Sequence, residues 1–143
     1  MIGRGRHDLS RPFFMENTLK SDLQLLYSEL GSEERVFDLV HGFYETMAQD
    51  PMIGFFFANR DLTAISRKQA EFMLRAMGVR SIYTGKSPAQ AHSHLPPILP
   101  GFFDRRAVLL RDFLRSKKIS DKGVQAWIAF EEQFRNAVIT PKK

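Results

Sequence analysis

The sequence predicts an all-α protein, and three observations carry that prediction. Apolar residues recur at intervals of three and four along most of the chain, strand-like alternation is absent, and cap or stop residues stand at the ends of the periodic stretches. At 143 residues the chain fits one domain, and 43% hydrophobic against 26% charged residues leaves enough apolar surface for one core. Thirteen phenylalanines, clustered in the helical patterns, ask that core for bulky packing. No internal repeat interrupts the pattern.

Residues 1–18 hold Gly3, Gly5 and Pro12 among Arg4, Arg6 and Arg11 and read as a weakly structured basic arm, which leaves residues 19–143 as the folded domain. Leu23, Leu26, Tyr27 and Leu30 share one helical face, and Gly31 stops that helix. Ser32 is an N-cap for the next, with Glu33 and Glu34 set against the positive end of its dipole. Its stripe runs through Val36, Leu39, Val40, Phe43, Tyr44 and Met47 until Pro51 and Gly54 end it. Asp61 caps a third helix, whose face of Leu62, Ile65, Gln69, Phe72, Met73, Ala76 and Met77 closes at Gly78. Tyr83-Thr84-Gly85 is a turn, and Ser87-Pro88 supplies the cap and first residue of a short helix ended by Pro96-Pro97. A long helix follows through Phe102, Phe103, Arg106, Leu109, Leu110, Phe113 and Leu114. Val124, Trp127, Ile128, Glu131, Phe134 and Val138 then line the last one.

Composition narrows the function classes. No cysteine is present, which removes disulfides, thiolate metal ligands and thiol nucleophiles and suits a reducing compartment. The longest apolar run, residues 53–58, is far short of the ~20 residues that span a bilayer, and no signal-like run opens the chain, so the expectation is a cytoplasmic protein without a membrane partner. A net charge of +5 raises nucleic-acid binding. The excess sits in the two ends and in one run, Arg105, Arg106, Arg111, Arg115, Lys117 and Lys118, without a recognition signature, so a solvated basic face is the expectation and nucleic acid ranks last among partners.

Two polar side chains, Tyr44 and Gln69, interrupt the apolar stripes, and the short fourth helix carries His92 and His94. An aromatic hydroxyl and an amide opposed by an imidazole are the donors and the axial ligand that a buried flat metallocofactor with a small diatomic ligand needs. Taken singly, each has a plainer explanation. A histidine on a short helix is more often a surface or satisfied residue, and a tyrosine at a core edge can reach water with its hydroxyl. Gln69 resists that explanation, because a polar group on an apolar face needs a partner when buried. His41, beside the second stripe, is expected to face solvent.

Over about residues 19–139 the chain resembles the truncated haemoglobins. The matching pieces, in order, are Phe43-Tyr44 with Asp50-Pro51, Phe56-Phe57, Lys68-Gln69 with Phe72, Gly78, Tyr83-Thr84-Gly85, His92, and Leu95-Pro96-Pro97-Ile98 before Phe102-Phe103. The resemblance implies a truncated globin fold, a two-over-two helical sandwich around haem b. It implies His92 as the proximal iron ligand, Tyr44 and Gln69 as distal hydrogen-bond donors, and Phe57 as the aromatic packed on the porphyrin. Ile65, Phe72 and Met73 would keep that pocket dry, with Leu95 and Arg106 completing its lining. Lys68, Arg67 and Tyr83 would sit at the rim, where cations and a hydroxyl suit propionates. No residue is assigned a catalytic role.

The same resemblance implies a protein that reversibly binds O₂ and other diatomic ligands, NO and CO among them, with oxygen transport as one use. Two distal donors in a low-dielectric site would slow O₂ release, which suits NO dioxygenation with a reductase partner better than delivery. A haem-free globin-like sensor or interaction domain is the alternative. The Leu95–Ile98 piece resembles one subgroup and the short stretch between Phe57 and Gln69 another. Arg106 stands where the first of these has a distal tryptophan, and the one tryptophan, Trp127, lies in the last helix. Since a buried unpaired guanidinium costs several kcal/mol, Arg106 is expected either to pair with Glu131 or to touch a haem propionate or the ligand.

Overall fold

The structure, a computed structural model, describes residues 7–80 and 85–140, with side chains from Asn17 onward. Every regular element among them is helical: α1 (His7–Leu30), α2 (Glu33–Ala48), a 3₁₀ turn (Gly54–Phe57), α3 (Leu62–Ala76), α4 (Pro88–His92), α5 (Pro100–Ser116), α6 (Asp121–Glu132) and α7 (Arg135–Val138). The caps stand where the sequence places them. Ser32 Oγ accepts from Arg35 N at 3.1 Å and Asp61 Oδ1 from Ala64 N at 3.1 Å, each satisfying a donor that the first helical turn leaves open. Gly78 ends α3 with φ +81°, a backbone setting that excludes most side chains.

Two boundaries differ from the sequence expectation. Backbone helix reaches back to His7, so most of the stretch read as a weakly structured arm is helical. A helix already nucleated by packing at Leu23, Leu26 and Leu30 adds one backbone bond per residue as it extends, and Pro12 removes only one of them. The last helix breaks in two at residues 133–134. Gln133 N and Phe134 N donate to the carbonyls three residues back, at 3.3 and 3.0 Å, which tightens the chain into a turn before α7.

α2 lies along α3 and α1 along α6, while α5 reaches both α2 and α6. Val36, Met47, Met73, Leu110 and Leu114 are fully buried where these helices meet, each contributing about 2 kcal/mol through apolar surface removed from water. The α1–α6 seam leaves no room for a side chain at Gly123. A Cβ on Gly123 would stand 2.9 Å from Ile119 Cγ2, 3.0 Å from Leu26 Cδ1 and 3.1 Å from Glu29 Oε1. Glu29 closes the same seam by accepting from Ser120 N at 2.8 Å and Ser120 Oγ at 2.7 Å.

The basic run is not wholly a solvated face. Arg105 donates through Nε and Nη2 to Asp50 Oδ1 at 3.1 and 2.7 Å, and Arg106 pairs with Glu131. A planar guanidinium matches a carboxylate geometrically, so these two arginines are held by acidic partners, Arg105 at the surface and Arg106 half-buried, while Arg111 and Arg115 are exposed. His41 is also not simply solvent-facing. It stacks on Phe37 at 5.7 Å, and its Nε2 lies 3.5 Å from Thr63 Oγ1 of α3.

Candidate functional site

α4 is built to present one imidazole nitrogen. Ser87 Oγ accepts from Gln90 N at 3.2 Å while Ser87 N donates to Gln90 Oε1 at 3.1 Å, a reciprocal box that fixes the start of a helix only five residues long. One turn on, His92 Nδ1 lies 2.6 Å from the Pro88 carbonyl oxygen. A carbonyl only accepts, so Nδ1 carries the proton and donates, and Nε2 keeps its lone pair. Nε2 has no hydrogen-bond partner among the described residues. Burial pushes the His92 pKa below the ordinary histidine value, the Pro88 bond opposes that, and the nearby charge of Arg106 adds to the lowering. The neutral, ligating form is therefore the favoured one.

On the opposite elements, Tyr44 is buried in α2 with Phe57 edge-on at 5.6 Å and Phe43 at 6.2 Å. Gln69 is half-buried on α3. Neither the Tyr44 hydroxyl nor the Gln69 amide has a hydrogen-bond partner among the described residues. Asp50 sets the turn that brings Phe57 to Tyr44. Its Oδ2 accepts from Met52 N at 3.0 Å and Ile53 N at 3.2 Å while Arg105 holds Oδ1. The Arg105 bonds, reinforced by these backbone donors and opposed by burial, hold the Asp50 carboxyl below the usual carboxylate range.

Between α3, residues 78–80 and 85–90, and the end of α6 lies a cleft of about 940 Å³, walled by Phe72, Phe130 and Phe134, with Pro88 and Gln90 of α4 on its edge. Phe72 sits 5.7 Å from Phe130 and 5.4 Å from Phe134. Tyr44, Phe57, Gln69 and His92 are not on this wall, though the last two share helices with it. Gln69 precedes Phe72 and Ala76 by three and seven residues on one helical face, and His92 follows Pro88 by four.

The other expected lining residues divide. Ile65 and Leu95 are half-buried against the core, and Met73 is fully buried within it. Lys68 is 57% exposed and pairs with Glu71 at 3.7 Å, while the Arg67 guanidinium lies over the Phe37 ring at 4.9 Å. His94 is exposed, and Tyr83 lies outside the described residues. Arg106, 22% exposed, has its guanidinium 5.1 Å from the centre of the Phe43 ring and pairs with Glu131, 12% exposed, which also accepts from Trp127 Nε1 at 3.3 Å. Of the two outcomes the sequence left open for Arg106, the pair with Glu131 forms. Sequence reasoning missed the Asp50–Arg105 bond and the wall of Phe130 and Phe134. An acidic residue directly before Pro51 and a second aromatic four residues along a helix were the available signals.

The helix order and pairing are those of a globin-type protein. A family model described as bacterial-like globin matches residues 25–139, and the chain belongs to that family as a truncated globin. A group 1 truncated hemoglobin of Chlamydomonas moewusii is 34% identical over 74 residues, 52% of this chain and 43% of the relative. One from Synechocystis is 34% identical over 73 residues, 51% of this chain and 59% of the relative. The chain thus spans about half the length of the curated relatives it matches. Among solved structures, the 2/2 hemoglobin of a Synechococcus species, in the cyanomet state with covalently attached heme, superposes with a TM-score of 0.70 at 26% identity over 79% of this chain and 96% of that one. Truncated hemoglobin of Tetrahymena pyriformis in the Fe(III) form gives 0.73 at 22% identity over 81% and 98%, a likeness of fold alone. The fold is the two-over-two globin sandwich.

Proposed function

We propose that this chain binds haem b through His92 and holds O₂ or another small diatomic ligand beneath Tyr44 and Gln69. The observation that carries the reading is the His92 Nδ1 bond to the Pro88 carbonyl, which leaves Nε2 as a fixed, unprotonated donor. Among the described residues no three His, Cys, Asp or Glu side chains gather, so a metal reaching His92 needs a chelator from outside the protein for most of its coordination, as a porphyrin provides. The aromatic cleft beside α4 suits a flat apolar body. Relatives named as truncated hemoglobins, one of them with attached heme, support the same cofactor here.

Haem, when bound, supplies an iron that takes diatomic ligands and, with O₂ held, converts NO to nitrate. The chain's own residues do the rest. His92 anchors and orients the cofactor. Tyr44 and Gln69 donate hydrogen bonds to the charge that accumulates on the outer ligand atom, in surroundings where such bonds are stronger than in water. Phe57 and Phe72 exclude water, which limits proton access and hence oxidation of the iron. Two donors favour long retention of O₂, so NO detoxification with an electron-supplying partner is the use this site supports over oxygen transport.

The test is reconstitution with haemin and reduction under CO. A Soret band and a ferrous carbonyl spectrum are expected for the wild type. His92→Ala is expected to lose high-affinity uptake and to recover a low-spin spectrum with added imidazole. Equal haem uptake by His92→Ala rejects the axial role, and absence of nitrate after mixing O₂-exposed ferrous protein with NO rejects the dioxygenase part. A wild type with no Soret band favours a haem-free interaction domain.

A further inference from the structure

Without cysteine, the sulfur of this chain is all methionine, and a thioether reacts with peroxides where it meets solvent. Four methionines have described side chains. Three of them are closed off, Met47 and Met73 at 0% exposure and Met77 at 2%, whereas Met52 is 43% exposed. Met52 stands at the corner between α2 and the 3₁₀ turn, where its N–H donates to Asp50 Oδ2 at 3.0 Å. Its Cε methyl lies over the first turn of α5, 3.9 Å from where a Cβ on Gly101 would be. Phe55, itself half exposed, meets Phe102 of that same turn edge-on at 5.7 Å. Residues 51–58 carry no charge, so Met52 and Phe55 dock this corner on α5 through apolar contact.

We infer that Met52 is an oxidation site through which hydrogen peroxide acts on this corner. A sulfur lone pair attacks one peroxide oxygen, and the S–O bond forms as the O–O bond breaks. The proton on the transferred oxygen passes to the departing hydroxide, which leaves as water. Sulfur is oxidised by two electrons and the peroxide is reduced by two. The product is a sulfoxide, polar where the thioether was not, and methionine sulfoxide reductases return it. Its oxygen needs water or a donor, and the apolar contact on Gly101 and Phe102 supplies neither, so the side chain leaves α5. The corner it loosens is the one that Asp50 closes and that brings Phe57 to Tyr44. Met52 reacts in this way with or without haem.

The experiment exposes the folded full chain to dilute hydrogen peroxide and locates each added oxygen by peptide mass spectrometry. It is run without haem and with haem supplied, cyanide then holding the iron so that it does not consume the peroxide. Fragmentation between Asp50 and Pro51 separates Met52 from Met47. Met52 is expected to oxidise about tenfold faster than Met47, Met73 and Met77, and the difference to vanish in urea. Amide exchange at Ile53, Gly54 and Phe56, whose N–H groups close the corner, is expected to quicken about threefold on oxidation and to slow again after sulfoxide reductase treatment. Met52→Leu should keep slow exchange under peroxide, and Met52→Gln, polar from the outset, should exchange fast without any. Equal oxidation of all four methionines in the folded chain overturns the site. Selective oxidation with exchange unchanged in both the oxidised chain and Met52→Gln overturns the effect on the corner.

Discussion

α3 and α4 carry Gln69 and His92 of the candidate site and are held in opposite ways. α3 runs for 15 residues with Ser66, Ala70, Met73 and Leu74 buried, so Gln69 rides on a helix fixed by apolar packing. α4 has five residues and buries none of them. Its order comes from the Ser87–Gln90 box, the His92–Pro88 bond and, further on, the paired bonds of Ile98 N to Thr140 Oγ1 and Thr140 N to Ile98 O, each 3.0 Å. A helix this short is unstable alone. The difference teaches that the hydroxyl and amide side is preformed by the core, whereas the imidazole side is held by a few bonds that coordination would strengthen through mass action.

The largest expected effect probes the residue that spans both sides. Arg106 of α5 touches Phe43 of α2, pairs with Glu131 of α6 and lowers the His92 pKa. Arg106→Leu strands Glu131 with little solvent and is expected to cost about 3 kcal/mol of global stability, read from the urea midpoint of the apoprotein. Arg106→Leu with Glu131→Leu should recover most of that loss, since removing both charges removes the unpaired one. No recovery would mean that the pair contributes through packing on Phe43 instead.

Asp50 tests whether the side carrying Tyr44 is held only by apolar packing. Its carboxyl titrates lower in the folded chain than in the unfolded one, chiefly because of Arg105. The resulting stability is complete above the unfolded carboxylate pKa of ~3.9 and is lost as pH falls through the lower folded value. Asp50→Asn should therefore flatten the acid limb of a stability profile measured from pH 6 to pH 2. An unchanged limb would assign acid sensitivity to other carboxylates.

The smallest effect sharpens the contrast most. Ser87→Ala removes a cap worth about 1 kcal/mol, and if α4 opens on its own the loss appears as faster amide exchange at residues 89–92 with the global midpoint unmoved. A midpoint that falls as far as the exchange protection would make α4 part of the cooperative core and end the distinction drawn between it and α3.

Much of this was legible in the chain. Ser32, Asp61 and Ser87 each announce a helix start, because a cap is a local event between residues three apart. The stripes of α2 and α3, and Tyr44 and Gln69 as polar breaks in them, were legible for the same reason, polarity against a 3.6-residue period, whereas His92 was singled out from His94 only by the family resemblance. What was not legible is nonlocal. Asp50 and Arg105 are 55 residues apart, and the acidic residue before Pro51 signals a turn without naming its distant partner. Glu131 and Arg106 each break an apolar stripe, which suggested their pairing as one of two outcomes, and the fold forms that pair.

The hydrogen on Gly123 has a mechanical consequence. With Ile119, Leu26 and Glu29 already at contact distance, α1 and α6 form a strut that neither slides nor spreads. Any opening of the helix frame must then be taken up by segments that bury none of their residues, among them the five-residue α4 that ends in His92.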